Sequence, residues 1–380
     1  MKVKQLISLL TATSLIIASA SKAFACTALM VTDINGNGYY ARTTEMPFTV
    51  PVDSSLTYMP ANTQVESLTP TGSQGKSFGT KYAILGMTMP LISSAKLPLL
   101  IDGMNDQGLS FSSNAMVPSS AAPVGNDPNK ILSANDFGVW VLGNHKSIPD
   151  VKASLLNGNI EVWLPKVPML GNLATPLHYA MFDKSGNGLV VEFVNNKMNV
   201  HDNPVGAMTN GPEFTWHLQN LNNYTFSNVD KNTGQLGRLK LATPDAGIAL
   251  TALPSAQTSQ GRFVKAAFYS NYVKKGKTPD EAVNLLAHII NNFDRPMNLT
   301  VDNAGSAGDN GGKSKTASSE VTQWTVMGDL SRNRYYVRTI DAMNWSVVDM
   351  NQLKGVTQIK SVSTYAVDNA GANAFTLLVK

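Results

Sequence analysis

Residues 21–30 read SKAFACTALM, and Cys26 within them is the only cysteine of the 380-residue chain. Ala23-Phe24-Ala25, directly before it, has the A-x-A form of a signal-peptidase site. Lys2 and Lys4 and an apolar run from Leu6 to Ala20 come earlier. The run is too short for a transmembrane helix and gives way to small residues, so residues 1–25 read as a secretory signal peptide. Cleavage would make Cys26 the first residue of an exported chain, periplasmic or secreted. No later segment has the length and apolarity for stable membrane insertion.

Residues 1–25 contain three lysines and no acid, so their removal takes the formal charge from +4 to +1. A near-neutral surface argues against nucleic acid as a partner, because that binding displaces counterions with clustered positive charge. One cysteine excludes an internal disulfide. In an exported protein it is an intermolecular link or a free reactive thiol. Residues 26–380 read as a single domain, with the small, polar stretch NAGSAGDNGGKSKTASSE (303–320) as a mobile surface loop.

Working outward from Cys26, TALMVTD alternates, INGNG is turn chemistry, and YYARTTE resumes an extended pattern. This predicts a β-hairpin at the mature N-terminus. YAILGMTM and LSFSSNAMV read as strands, and LHYAMFD-KSGNG-LVVEFVN as a second hairpin. NDFGVWVLGNH, opening on an Asn/Asp cap, and SIPDVKASLLN read as helices. So do GPEFTWHLQNLNNY, GRFVKAAFYSNYVKKG and TPDEAVNLLAHIINNF, the last with a Thr cap and acids in its first turn. QWTVMGD, RYYVRTID and WSVVDM close the chain as strands. Hairpins in place of alternating β-α units imply antiparallel sheets with helices packed outside.

Several familiar chemistries find no support. Gly36-Asn37-Gly38-Tyr39-Tyr40-Ala41 fits G-x-G-x-x-A, but a strand pattern follows where a dinucleotide site needs a helix N-terminus. His145, His178, His201, His217 and His288 form no metal-ligand spacing, and one cysteine cannot build a thiolate zinc site. There is no G-x-S-x-G elbow. A Cys-His pair stays open, because the histidine could come from anywhere in the fold.

As an N-terminal residue, Cys26 carries nucleophile and base together. Its α-amino group would have an unperturbed pKa of about 7.7–8.0, one residue's reach from the thiol. Before cleavage that nitrogen is an amide with no useful basicity, so export would double as activation. Arg42 and Glu45 lie on the return strand of the first hairpin. Arg42 would favour the thiolate, and Glu45 could hold the α-ammonium or orient the neutral amine. The rival reading of the same cysteine is lipidation, as in a lipoprotein that binds an amide-bearing ligand. That signal wants Leu at −3 and small residues at −2 and −1, whereas Ala23 and bulky Phe24 stand at −3 and −2.

Together these residues resemble the choloylglycine hydrolase family, the bile salt hydrolases and penicillin V acylases among N-terminal-nucleophile hydrolases. That family opens its mature chain on Cys-Thr and carries an Arg and an Asp at the places of Arg42 and Glu45. Glu45 is one methylene longer than the usual Asp. KYAILGM (81–87), DGMNDQGLS (102–110), FGVWVLGN (137–144), LHYAMFD (177–183), MTNGPEFTWHLQNLNNY (208–224) and SQGRFVKAAF (259–268) also look like the family, in its order.

The resemblance implies an α+β fold, a four-layer αββα sandwich, and a hydrolase of linear non-peptide amide bonds. Cys26 would be the nucleophile, Asn210 a side-chain oxyanion donor and Arg262 a second active-site arginine. The backbone oxyanion donor falls at Ala115 or, one residue shifted, at Asn114. Pocket walls would come from Met46, Phe48, Met116 and the stretch VWLPKVPML (162–170) with Trp163. No metal or organic cofactor is implied. The substrate would be a small molecule joining an apolar acyl group to a small polar amine, such as a conjugated bile salt or penicillin V, with N-acyl homoserine lactones as the alternative. Relatives are often homotetramers.

Overall fold

The computed structural model describes residues 25–47, 53–90, 95–168, 172–231, 234–243, 245–302, 317–368 and 375–379. The expected first hairpin forms. Strands β1 (Cys26–Thr32) and β2 (Gly38–Pro47) pair antiparallel with Cys26 opposite Thr44 and Ala28 opposite Arg42. The Asp33 carboxylate closes its turn by accepting the Asn35 and Asn37 backbone N–H groups. Gly38 lets this turn lie against the tip of the second hairpin. Its N–H donates to the Lys184 carbonyl at 3.0 Å, and a Cβ there would strike the Asp183 carbonyl.

Among the described residues, two antiparallel sheets stack on each other. The first runs Ala207–Met208, β1, β2, Ser318–Asp329, Arg334–Thr339, Ser346–Asp349. The second runs Lys197–Asp202, Gly188–Val194, Leu177–Asp183, Leu109–Ala115, Leu99–Asn105, Ile84–Met89, Ser55–Met59, Lys360–Ser363. Helices Ser259–Tyr272 and Pro279–Ile290 cover the first sheet, packing on β1 and β2. Helix Ala134–Asn144 covers the second. The layers are helix, sheet, sheet, helix, the αββα sandwich that the family resemblance implies; the patterning alone implies antiparallel sheets with helices outside.

Local chemistry sets the helix starts. Pro279 occupies the first turn after Thr278, whose hydroxyl accepts the Glu281 N–H, and Asp280 and Glu281 complement the helix dipole. Helix Ala134–Asn144 differs from expectation in its cap. Ser133 Oγ accepts the Asn135 N–H, so Asn135 and Asp136 lie inside the first turn. The stretch 303–320 also ends differently, because Ser318–Glu320 already belong to the strand Ser318–Asp329. Residues 303–316 lie outside the described residues.

One irregularity positions the site. The β2 pairing with Ser318–Asp329 slips between Thr44, opposite Trp324, and Glu45, opposite Thr322. Trp324 and Thr322 are two residues apart and would share a face in a regular strand. The bulge turns them to opposite faces. Trp324 points between the sheets to Asp102, and Thr322 points to the helix side, where its hydroxyl meets Glu45.

Candidate active site

Strand alternation distributes the groups around Cys26. Arg42 and Thr44 share the face of Cys26 that looks toward the second sheet, while Thr27 and Glu45 look toward the helices. Cys26 is 1 % exposed. Its Sγ accepts a hydrogen bond from Arg42 Nη2 at 3.1 Å and one from the Ala115 backbone N–H. Burial pushes the thiol above its usual pKa. Arg42 is the strongest influence pulling it back, Glu45 adds to the rise and Arg262 opposes it.

Arg42 is held on every side. Nη1 donates to Asp102 at 2.9 Å and to Thr44 Oγ1, Nε to Asn114 Oδ1 at 3.3 Å, and Nη2 to the Ser113 carbonyl at 2.6 Å as well as to the thiol. Asp102 in turn accepts from Trp324 Nε1 at 3.0 Å and from the Tyr335 hydroxyl. Burial works against the Arg42 charge, but Cys26, Asp102, Glu45 and Tyr335 together outweigh it and hold Arg42 above its ordinary range. The guanidinium therefore stays charged beside the thiol.

Asn210, 184 residues from Cys26 in sequence, reaches the same place. Its Oδ1 accepts the Cys26 N–H at 2.8 Å and Arg262 Nη2 at 2.8 Å. Its Nδ2 donates to the Ala115 carbonyl at 2.9 Å. Arg262 lies one turn into its helix, after Thr258 caps the Gly261 N–H. It also donates to the Cys26 carbonyl and to Thr27 Oγ1 at 2.7 Å. Burial, and then repulsion from Arg295, brings Arg262 down to about 10.

Glu45 is fully buried. Its N–H donates to the Ala25 carbonyl at 2.8 Å, and its Oε1 accepts from Thr322 at 3.1 Å. Oε2 has no well-formed hydrogen-bond partner among the described residues. Burial raises its carboxyl, and Arg262 and Arg295 oppose the rise.

The structure thus brings Cys26, Arg42, Glu45, Ala115, Asn114, Asn210 and Arg262 together. Of the two candidates for a backbone donor, Ala115 is the one whose N–H reaches the thiol. The Asn114 side chain braces the site instead. Its Oδ1 holds Arg42, and its Nδ2 donates to the Thr209 carbonyl at 2.7 Å. Met46 and Met116 are buried. Trp163 is engaged elsewhere, its indole N–H donating to the Leu68 carbonyl. Phe48, and residues 169 and 170 of the wall stretch, lie outside the described residues.

Sequence reasoning missed Asp102, Trp324 and Tyr335 behind Arg42, and Ser259, whose hydroxyl accepts the Asn210 N–H at 3.0 Å. It also missed the engagements of two histidines. His178 faces Glu192 and the Thr209 carbonyl, and His217 Nε2 donates to the Asn210 carbonyl at 2.9 Å. Among the described residues no cluster of His, Cys, Asp and Glu could hold a metal, and no helix is long and apolar enough to cross a membrane.

A buried sulfur with a guanidinium and a backbone N–H on it, and a side-chain amide on the nitrogen of the same residue, is an arrangement that acyl transfer can use. The family model for linear amide C–N hydrolases of the choloylglycine hydrolase family matches residues 26–358, opening on Cys26. The bile salt hydrolase/transferase of Clostridium perfringens is 29% identical over 333 residues, 86% of this chain and 93% of that one. The penicillin V acylase of Pectobacterium atrosepticum is 27% identical over 180 residues, 46% of this chain and 42% of its own. A crystal structure of a conjugated bile acid hydrolase variant from C. perfringens superimposes with TM-score 0.71 at 28% identity, covering 89% of this chain and 96% of that one. The penicillin V acylase of Agrobacterium tumefaciens shares the fold, with TM-score 0.67 at 21% identity, 89% coverage of this chain and 91% of its own.

Proposed function

The chain belongs to the choloylglycine hydrolase family and is a linear amide C–N hydrolase, and from that premise we propose that its nucleophile is the thiol of an N-terminal Cys26. Export and cleavage after Ala25 would free the α-amino group. The observation that carries this reading is the convergence on Cys26. Its nitrogen is held by Asn210 Oδ1, and its sulfur is held by Arg42 and the Ala115 N–H.

Each group then has one task. The α-amino group takes the thiol proton as Sγ attacks the substrate carbonyl, which suits a thiol that burial keeps protonated at rest. The Asn210 Nδ2 amide and the Ala115 N–H receive the oxyanion. Arg42 stabilises the thiolate, and Arg262 and Asn210 Oδ1 keep the nitrogen aimed at the sulfur. The C–N bond breaks, and the α-ammonium protonates the leaving amine. Water, deprotonated by the same amine, hydrolyses the thioester and releases the acid.

The substrate we propose is an apolar acyl group joined to a small polar amine. The relatives named for conjugated bile salts and for penicillin V support that class. Met46 and Met116, adjacent in sequence to Glu45 and Ala115 and both buried, would supply apolar, adaptable walls for it. The test is release of free amine from glycine- and taurine-conjugated bile salts, penicillin V and a long-chain N-acyl homoserine lactone. The mature chain and Cys26→Ala are assayed together. Turnover of at least one amide that vanishes in Cys26→Ala is expected, and turnover that survives the substitution overturns the assignment.

A further inference from the structure

Behind Asn210 lies a buried acid–base pair that no step above uses. His178 and Glu192 stand on the neighbouring strands Leu177–Asp183 and Gly188–Val194, and both are buried. His178 Nδ1 lies 3.0 Å from Glu192 Oε1, and Nε2 lies 3.0 Å from the Thr209 carbonyl. The Glu192 oxygens also accept the Phe214 N–H, at 3.0 Å each. A carbonyl and a carboxylate only accept, so both His178 contacts form fully when each ring nitrogen carries a hydrogen. Burial opposes the Glu192 charge, but His178, the Phe214 N–H and His201 together outweigh it and hold Glu192 below its ordinary range.

The pair therefore grips Asn210 from both sides. Thr209 precedes it, and Phe214 opens the helix that follows. Asn114 Nδ2 adds a second donor to the Thr209 carbonyl. The cost of burying a charged pair is offset only by good geometry and full satisfaction, and a hydrophobic pair would tie two strands together as well. What a hydrophobic pair could not do is hold a carbonyl and an N–H on the two flanks of one asparagine.

We propose that His178 and Glu192 are positioning residues for the amide hydrolysis, fixing the 209–214 segment so that the Asn210 side-chain amide is aimed at the oxyanion. The inference rests on the oxyanion role given to Asn210 above. An amide misplaced by an ångström costs on the order of 10²-fold in rate, and that is the loss expected of the pair.

The test is a double-mutant cycle on the mature enzyme with the best amide of the panel. It compares His178→Ala, Asn210→Ala and their combination. Iodoacetamide alkylation of Cys26 and melting temperature are read on the same preparations. His178→Ala should lower kcat on the order of 10²-fold with KM changed less than about threefold. The alkylation rate should hold within about twofold, because alkylation makes no oxyanion. In the Asn210→Ala background the same substitution should cost less than about threefold, since the group it aims is gone.

Should His178→Ala not fold, the cycle is run with Glu192→Gln. That change keeps the volume and the acceptor for Phe214 but removes the charge, and a loss of about tenfold that vanishes with Asn210→Ala is expected. Losses that add in the double variant, or that fall on KM alone, or a drop in melting temperature with kcat intact, overturn the inference while leaving the amidase reading standing. An unsubstituted enzyme that turns over no amide overturns both.

Discussion

Replacing Arg42 by methionine separates what this side chain does for the fold from what it does for the thiol. Arg42 is 1 % exposed and shared among Asp102, Cys26, Asn114, Thr44 and the Ser113 carbonyl. Methionine fills most of its volume but leaves the Asp102 carboxylate buried without a cation, still held by Trp324 and Tyr335. Breaking a buried pair from one side costs about 3–5 kcal/mol. At roughly 2 °C per kcal/mol for a large chain, the melting temperature should fall by about 6–10 °C.

Adding Asp102→Asn removes the orphaned charge and keeps an acceptor for Trp324, so the double variant should regain most of the loss. Activity should not return with it. Burial raises the Cys26 thiol and Arg42 is the main opposing influence, so both variants should ionise the thiol at higher pH than the parent. Calorimetry gives the stability, and the pH dependence of iodoacetamide alkylation gives the thiol. Each unit of upward displacement makes alkylation about tenfold slower at neutral pH. The reasoning is refuted if Arg42→Met melts with the parent, or if Asp102→Asn on that background restores turnover along with stability.

Three further outcomes are expected. In Glu45→Gln the carboxylate no longer favours the α-ammonium, so the acid limb of kcat/KM should move down by about one pH unit; an unmoved limb would remove Glu45 from the amine's surroundings. His217, lowered to about 4 by burial, stays neutral in the fold between about pH 4 and 6.5 while the unfolded chain takes up a proton. Stability therefore rises with pH across that window and is lost as pH falls through it, by about 3 kcal/mol for a shift of about 2.5 units. His217→Phe should lose about 3 kcal/mol less than the parent between pH 7 and 4 in urea titrations, and equal losses would contradict the assignment. A mature domain that retains Ala25 and a short extension should fold, since the Ala25 carbonyl already accepts the Glu45 N–H, yet be inactive; full activity in that form would mean the base is not the Cys26 amine.

How far this arrangement was legible in the sequence depends on the range of each contact. The first hairpin needed only alternation and a turn, so Cys26 and Arg42 could be set side by side sixteen residues apart. Helix Pro279–Ile290 needed only its own cap and first turn. Asn210 and Arg262 meet Cys26 across 184 and 236 residues. No local pattern reports contacts at that range, and they were reached through family resemblance alone. The bulge beside Glu45 was invisible, because it depends on which residue of the partner strand is skipped, and with it went the reason Trp324 and Thr322 face opposite ways. The His178–Glu192 pair is different. In LHYAMFD and LVVEFVN, a histidine and a glutamate interrupt otherwise apolar runs of paired strands, at positions that prove fully buried. A buried ionisable residue must be paired or it costs several kcal/mol. Two such residues in one hairpin were therefore already an argument that each had the other for a partner, and that what lay beyond them was polar backbone to be held in place.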